Sequence, residues 1–336
     1  MKRTIVTLIG TVVLLSVFTT MAFAAQADTL TIEVNDKAIE PAAVVWEGEL
    51  FLPLRAVAAA LGFEVEWFAG EQAVKVSSPD KTLQLYLPDG RIVVNDHEAY
   101  LPGGYRLIGD RVYLRQDFFA DNFSLIVEWD KDGRLVRLQG VEENPIVIST
   151  KKEEAETETL KLTLQYPELK GLENTEVQNK LNSLFAELAA AAKARGYENA
   201  QYLGEEQLKH HIKAETYFNY QVTYNRNGLL SIVFIDYQYG GGAHGMTVQS
   251  SYTFDVKTGK KYELKDFFDD GSDYIAIISD EVKRQIEEKG LMLLTPFNAI
   301  RPDQDFYLSN NGLVVYFQLY EYLPYAYGIP EFIVEI

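Results

Sequence analysis

The chain of 336 residues contains no cysteine. That absence excludes a disulfide framework, a thiol nucleophile, a thiolate metal site and a lipid-modified cysteine at a processed N-terminus. Histidine is scarce too, with four copies, and none of them forms a His-x-His pair that could begin a copper site. Zinc would need three or four ligands, so no metal or other cofactor is expected. Positive charge is also in short supply: 31 Lys and Arg stand against 49 Asp and Glu, a formal net charge of −18. Nucleic acid and anionic lipid are thereby disfavoured as partners, because phosphate is met by clustered Lys and Arg. A basic partner is compatible with this charge. After residue 24 no apolar run approaches the ~20 residues that span a bilayer.

What is present begins with an export signal. Lys2 and Arg3 precede an apolar run from Ile5 to Phe18, and Ala22-Phe23-Ala24 places small residues where signal peptidase needs them. Residues 1–24 therefore read as a cleaved signal peptide, with an uncleaved N-terminal anchor as the alternative. The expected location is secreted, in the extracellular cell envelope, with no membrane contact after cleavage. A composition of 47% hydrophobic and 24% charged residues over this length suits two globular domains.

An internal repeat organises the first of them. Val34-Asn35-Asp36 returns 60 residues on as Val94-Asn95-Asp96, and Val65-Glu66-Trp67 returns 62 residues on as Val127-Glu128-Trp129. Between these marks "FLPLRAVAAALGFEVEW" from Phe51 aligns with "YLRQDFFADNFSLIVEW" from Tyr113, so Leu52, Val57, Leu61 and Trp67 fall on Leu114, Phe119, Phe123 and Trp129. Pro53 is placed to start a short helix and Gly62 to end it. Each copy reads as strand, helix and further strands. Over about residues 29–140 the chain, the first copy most specifically, resembles the copper amine oxidase N-terminal-like domain, a stalk module of secreted proteins from Gram-positive bacteria, and residues 25–140 are read as that domain. That module lies outside the oxidase chemistry, so the resemblance implies neither copper nor amine oxidation.

Residues 141–160 carry alternating charge and few large apolar side chains after Ile148, and read as a linker. A second domain follows over residues 161–336. Val177, Leu181, Leu184, Phe185 and Leu188 recur at helical spacing, with Thr175 and Gln178 placed for a capping box and Gly196 beyond the last periodic turn. Phe218, Tyr220, Val222 and Tyr224 then alternate with polar residues, and "NRNG" at 225–228 turns into "LLSIVFIDYQY", a hairpin. A helix is expected from about Ser272, with Ile275, Ile278, Val282 and Ile286 on one side. The fold class is α+β: two strand-helix-strand repeats, then an antiparallel sheet with two main helices.

The motif "DYQYGGGAHG" ends one of those strands. Its glycines suit positive φ or a bulge between strands, and it lacks the Gly-Lys-Ser/Thr of a phosphate loop. His244 reads as a turn residue. His97 lies in the first module, and His210 and His211 adjoin Glu206 and Glu215 at a spacing of four, common on an acidic stretch. No carboxylate pair is set apart by spacing for glycoside hydrolysis. Several ordered motifs over about residues 155–336 resemble the extracellular domain of a sigma-V-type anti-sigma factor that acts as a lysozyme receptor, and the noncatalytic N-terminal module of certain peptidoglycan deacetylases. The resemblance covers Asp236, Tyr239, Gly241, Gly242, Ala243, His244 and Gly245, then Asp255, Thr258 and Gly259, then Tyr320, Glu321, Pro324, Tyr325, Ala326 and Gly328. No cytoplasmic segment and no deacetylase barrel is seen, so only the outward-facing binding part is expected.

These readings imply a noncatalytic binding or sensing protein of the envelope, recognising peptidoglycan or a basic cell-wall hydrolase such as lysozyme. Tyr316, Tyr320, Tyr322, Tyr325 and Tyr327 are the candidate ligand-contacting aromatics, able to stack on sugars or anchor a protein. The alternative is an envelope hydrolase using His244 and a nearby carboxylate such as Asp236.

Overall fold

A computed structural model describes residues 28–78, 81–99, 104–130 and 132–335. The signal peptide expected over residues 1–24 lies outside them. The first module runs β1 (Asp28–Val34), β2 (Lys37–Trp46), β3 (Glu49–Pro53), α1 (Leu54–Ala60), β4 (Glu64–Phe68), β5 (Ala73–Ser77), β6 (Thr82–Tyr86) and β7 (Ile92–Val94). It continues through β8 (His97–Ala99), β9 (Tyr105–Ile108), β10 (Arg111–Arg115), α2 (Gln116–Phe123), β11 (Leu125–Asp130) and β12 (Leu135–Gly140). Two sheets result, ordered β11-β12-β1-β2-β3-β10-β9 and β4-β5-β6-β7-β8. Asn35 and Asp36 hold φ of 48° and 62°, the double positive turn that matches strand twist in a hairpin.

The repeat is structural. β3, α1, β4 and β5 correspond to β10, α2, β11 and β12, and the equivalent strands β3 and β10 pair antiparallel with Leu52 opposite Leu114. An approximate two-fold axis therefore passes between these two leucines. Apolar side chains from both sheets and both helices, among them Ile32, Leu52, Val57, Leu85, Leu114 and Phe119, make one core.

The second half holds β13 (Val147–Glu156), β14 (Leu160–Lys170), α3 (Thr175–Gln201), α4 (Glu205–Lys209), β15 (Ala214–Arg226), β16 (Leu229–Tyr239) and β17 (Met246–Asp255). A 3-10 turn at Leu264–Phe267 leads to α5 (Tyr274–Glu288), β18 (Phe306–Ser309) and β19 (Gly312–Tyr316), and a second at Tyr325–Tyr327 leads to β20 (Glu331–Val334). The sheets are β13-β14-β15-β16-β17 and β18-β19-β20. The α+β class and its two main helices, α3 and α5, are as read from the sequence. Four details differ.

The supposed linker is partly a strand: β13 pairs antiparallel with β14 from Val147 opposite Lys170 to Glu156 opposite Lys161. Its charges are those of a protected sheet edge, which composition does not separate from a linker. The sheet is not purely antiparallel, because β14 and β15 run parallel. A parallel pair needs a long crossover, and α3 supplies it. Asn174 caps α3 by accepting from the backbone N–H of Glu176 and Val177, while Gln178 instead accepts from Leu172 N at 3.2 Å. Finally, Gly196 lies inside α3 and is buried; a Cβ there would strike the Thr216 hydroxyl, so glycine lets the helix sit close on β15.

The two halves meet through polar groups. Glu98 on the edge strand β8 donates its N–H to Gln165 Oε1 at 3.0 Å, and its carbonyl accepts from Asn219 Nδ2 at 2.7 Å. His97 Nε2 bonds Asn219 Oδ1 at 2.5 Å, and its ring stacks on Tyr220 with centroids 4.3 Å apart. Burial holds His97 below its ordinary pKa of 6.5, opposed by the Asn219 bond. Burial also pushes the phenols of Tyr217 and Tyr220 up to about 12, so both remain neutral hydroxyls.

Candidate functional site

β16 carries Asp236 and Tyr239 to the sheet end, residues 240–245 turn the chain, and β17 returns. Two glycines in this loop are dictated by space. Gly241 has φ 83°, and a Cβ there would press on Leu203 and Gln207; at Gly245 a Cβ would strike the Tyr237 ring. Gly242, expected to share this need, has no positive φ, and a Cβ there meets only the His244 carbonyl oxygen at 3.9 Å. The loop is pinned by Tyr239, whose hydroxyl donates to the Gly242 carbonyl at 3.0 Å.

His244 is exposed, with Nδ1 2.8 Å from the Gly245 carbonyl and Nε2 3.2 Å from the Tyr320 hydroxyl. Tyr325 lies against it, ring centroids 4.3 Å apart, and donates its own hydroxyl to Gly245 O at 3.2 Å. Tyr320 and Tyr325 are neighbours at 5.7 Å. The structure thus joins two motifs 76 residues apart in sequence into one imidazole and phenol cluster. Tyr320 has φ 65°, a left-handed conformation that costs an aromatic residue energy and that clusters at binding and catalytic sites. Its ring is 46% exposed. The turn that presents it is fixed by Gln318, whose N–H donates to Glu321 Oε2 at 2.9 Å, while Glu321 is paired with Arg301.

The other named aromatics divide. Tyr327 is 43% exposed and belongs to the same loop. Tyr316 is fully buried in a small core with Val233, Tyr307 and Val314, and its hydroxyl bonds Ser251 Oγ at 2.9 Å. It cannot contact a ligand: β19 is central in its sheet and is covered on both faces, with Leu313, Val315 and Phe317 in a second core. Tyr322 packs edge-on to Phe317 at 4.8 Å and Phe297 at 5.4 Å, which makes it a packing residue.

Asp236 is not placed as a partner for His244. It is 9% exposed, ion-paired with Arg195 of α3 and bonded to Gln238 Nε2 at 2.6 Å. The four histidines fall at three separate places: His97 lies at the junction between halves, adjacent His210 and His211 follow α4, with His210 near Glu206 at 3.7 Å and His211 in a left-handed turn, and His244 is on this loop. Among the described residues no group of three or more His, Cys, Asp or Glu side chains could hold a metal ion. Sequence reasoning did not find the His97, Gln165 and Asn219 network, since alternation along β15 shows only that Asn219 lies on a polar face.

Three family models match the chain. Residues 33–138 match the copper amine oxidase N-terminal domain, residues 153–247 the deacetylase PdaC, and residues 265–336 a family of unknown function, DUF3298. This is the module composition read from the sequence. The glycine loop falls in the second match, and Tyr320 and Tyr325 in the third, so the cluster is built where the two meet. Among solved structures, a DUF3298 family member from Bacteroides fragilis is 19% identical, covering 56% of this chain and 89% of its own, with a TM-score of 0.44. Another from Pseudomonas aeruginosa PAO1 is 16% identical, covering 57% and 90%, with a TM-score of 0.41. No curated protein matches.

Proposed function

We propose that the protein is a noncatalytic binding protein of the cell envelope, and that the cluster of His244, Tyr320 and Tyr325, together with exposed Tyr327 on the same loop, contacts cell-wall glycan. The observation that carries this is the exposed Tyr320 ring, held in a left-handed backbone beside His244. Exposed aromatic faces backed by fixed hydrogen-bonding groups suit the apolar faces and hydroxyls of sugars. The commitment of Asp236 to Arg195 and Gln238 favours this reading over hydrolysis by His244 and that carboxylate. The match of residues 153–247 to the deacetylase PdaC model supports an envelope setting.

A second reading is favoured by charge. At −18 the chain would attract a basic hydrolase such as lysozyme, with association that slows as salt rises. Titration of the exported chain with soluble peptidoglycan fragments and with lysozyme, at low and high salt, tests both. Glycan binding should change little with salt and fall at least tenfold in Tyr320→Ala. Binding of neither, together with turnover of peptidoglycan that His244→Asn removes, would overturn the noncatalytic reading.

A further inference from the structure

The two repeats treat the same face differently. In the second copy, the face around α2 is covered by the C-terminal half. Asp121 accepts from Gln221 Nε2 at 2.5 Å, the Ala120 carbonyl accepts from Asn310 Nδ2 at 2.9 Å, and Val127 N–H donates to Asn311 Oδ1 at 3.1 Å. The corresponding residues in the first copy are Ala59, Ala58 and Val65. Of these, Ala59 lines a cleft of about 600 Å³, whose walls include α1, Trp67 and the β9 to β10 hairpin.

Three differences between the copies define what would fill it. Ala56 lines the cleft at the position where the second copy carries buried Phe118, so a large side chain is missing from the first copy. Trp67 and Leu107 remain 48% and 54% exposed on its wall. Charge is inverted at two positions: Arg55 stands for Asp117, and Arg111 for Glu49. Asp117 and Glu49 are both paired with Arg115. Among the described residues neither Arg55 nor Arg111 is in an ion pair, and Arg55 donates to the Val65 carbonyl at 3.3 Å. Glu40 and Asp110 complete the rim, which leaves the two guanidinium groups as its charged donors.

We propose that this cleft docks a peptide segment of a partner protein, one that presents an aromatic or large aliphatic side chain flanked by carboxylates. The anchor fills the space beside Ala56 against Trp67, and the carboxylates take fork-shaped hydrogen bonds from Arg55 and Arg111. A protein segment is favoured over a free small molecule because the equivalent face of the second copy is covered by protein. The proposal is independent of the His244 cluster.

The test uses the exported chain and two fluorescein-labelled peptides, each with a central phenylalanine, one flanked by glutamates and the other by lysines. Fluorescence anisotropy should show binding of the glutamate peptide alone, weakened at least tenfold in Arg111→Glu and in Arg55→Glu, and weakened by added salt. Ala56→Phe, which restores the aromatic residue of the second copy, should block the cleft. Circular dichroism of each variant keeps loss of binding distinct from loss of fold, and exposed Arg111 serves if Ala56→Phe does not fold. Equal binding of both peptides, no binding of the glutamate peptide at millimolar concentration, or binding unchanged in folded Arg111→Glu overturns the proposal.

Discussion

Replacing Asn219 with Ala should loosen the junction between the two halves more than any other single side-chain truncation along β15. Its amide donates to Glu98 O and to the Tyr217 hydroxyl, each at 2.7 Å, and its carbonyl oxygen receives His97 Nε2 at 2.5 Å and Tyr220 N at 2.8 Å. Each bond is worth about 1 kcal/mol net, and a buried group left without a partner costs about 1–3 kcal/mol. Asn219 is 3% exposed, so water does not replace what the side chain supplied. The expected loss is about 3 kcal/mol. Truncating His97 removes the stack on Tyr220 and one bond, about 2 kcal/mol. The informative quantity is the coupling in the double variant. Because the two residues touch across the junction, their effects should fall short of additivity by about 1 kcal/mol. Urea denaturation of the wild type, His97→Ala, Asn219→Ala and the double variant measures it. A coupling within about 0.3 kcal/mol of zero, the scatter found for distant sites, would mean that the halves do not dock through this pair.

Two further outcomes are expected. Burial lowers the His97 pKa, so below the ordinary value of 6.5 the unfolded chain binds more protons than the folded one. The stability His97 contributes is thus present above about pH 6.5 and is lost as pH falls through its lowered folded pKa. Urea midpoints from pH 7.5 to 5 should decline more in the wild type than in His97→Gln, and parallel curves would refute the assignment. In the glycine loop, Gly245→Ala should cost about 1–3 kcal/mol through collision with the Tyr237 ring, whereas Gly242→Ala should change stability by under about 0.5 kcal/mol; thermal melts that reverse this order would show that the loop is held differently.

How much was legible follows the range of the forces involved. The repeat was readable because strand pairing demands apolar residues at matched positions, and Leu52 and Leu114 face each other across the two-fold axis. α5 was readable from Ile278 and Val282, both fully buried at a spacing of four. The hairpin turn at Asn227 and Gly228 was readable because few residues tolerate φ of 55° and 75°. What failed depended on neighbours distant in sequence. Lys151 to Glu154 looked like linker because an edge strand carries linker-like charge. Tyr316 looked available because alternation along one strand cannot show that a second layer covers the other face. His244 was weighed with Asp236 across eight residues of chain, yet its contacts are Tyr320 and Tyr325, and only tertiary packing selects them. The cleft beside Ala56 was latent in the repeat alignment, where Ala56 stands opposite Phe118, but an alanine for a phenylalanine also fits a core that has closed around it.

The chemistry of the junction bears on how the two halves divide their tasks. Gln165, Asn219, Gln221, Asn310 and Asn311 all reach from the C-terminal half toward the first module, and every one is a neutral amide. Four of them, Gln165, Asn219, Asn310 and Asn311, satisfy backbone groups of Glu98, Ala120 and Val127, so they read the path of the chain more than its side chains. Neutral amides are little affected by ionic screening, unlike exposed ion pairs. In a chain of net charge −18, a junction built on charge would weaken or tighten with every change of salt. This one should hold its geometry while the cleft of the first repeat, with Arg55, Arg111, Glu40 and Asp110 on its rim, and the acidic surface respond to ionic conditions. The breaking of the repeat's symmetry is then functional: the copy with Phe118 and Asp121 is committed to the C-terminal half, and the copy with Ala56 and Ala59 is left open to a partner.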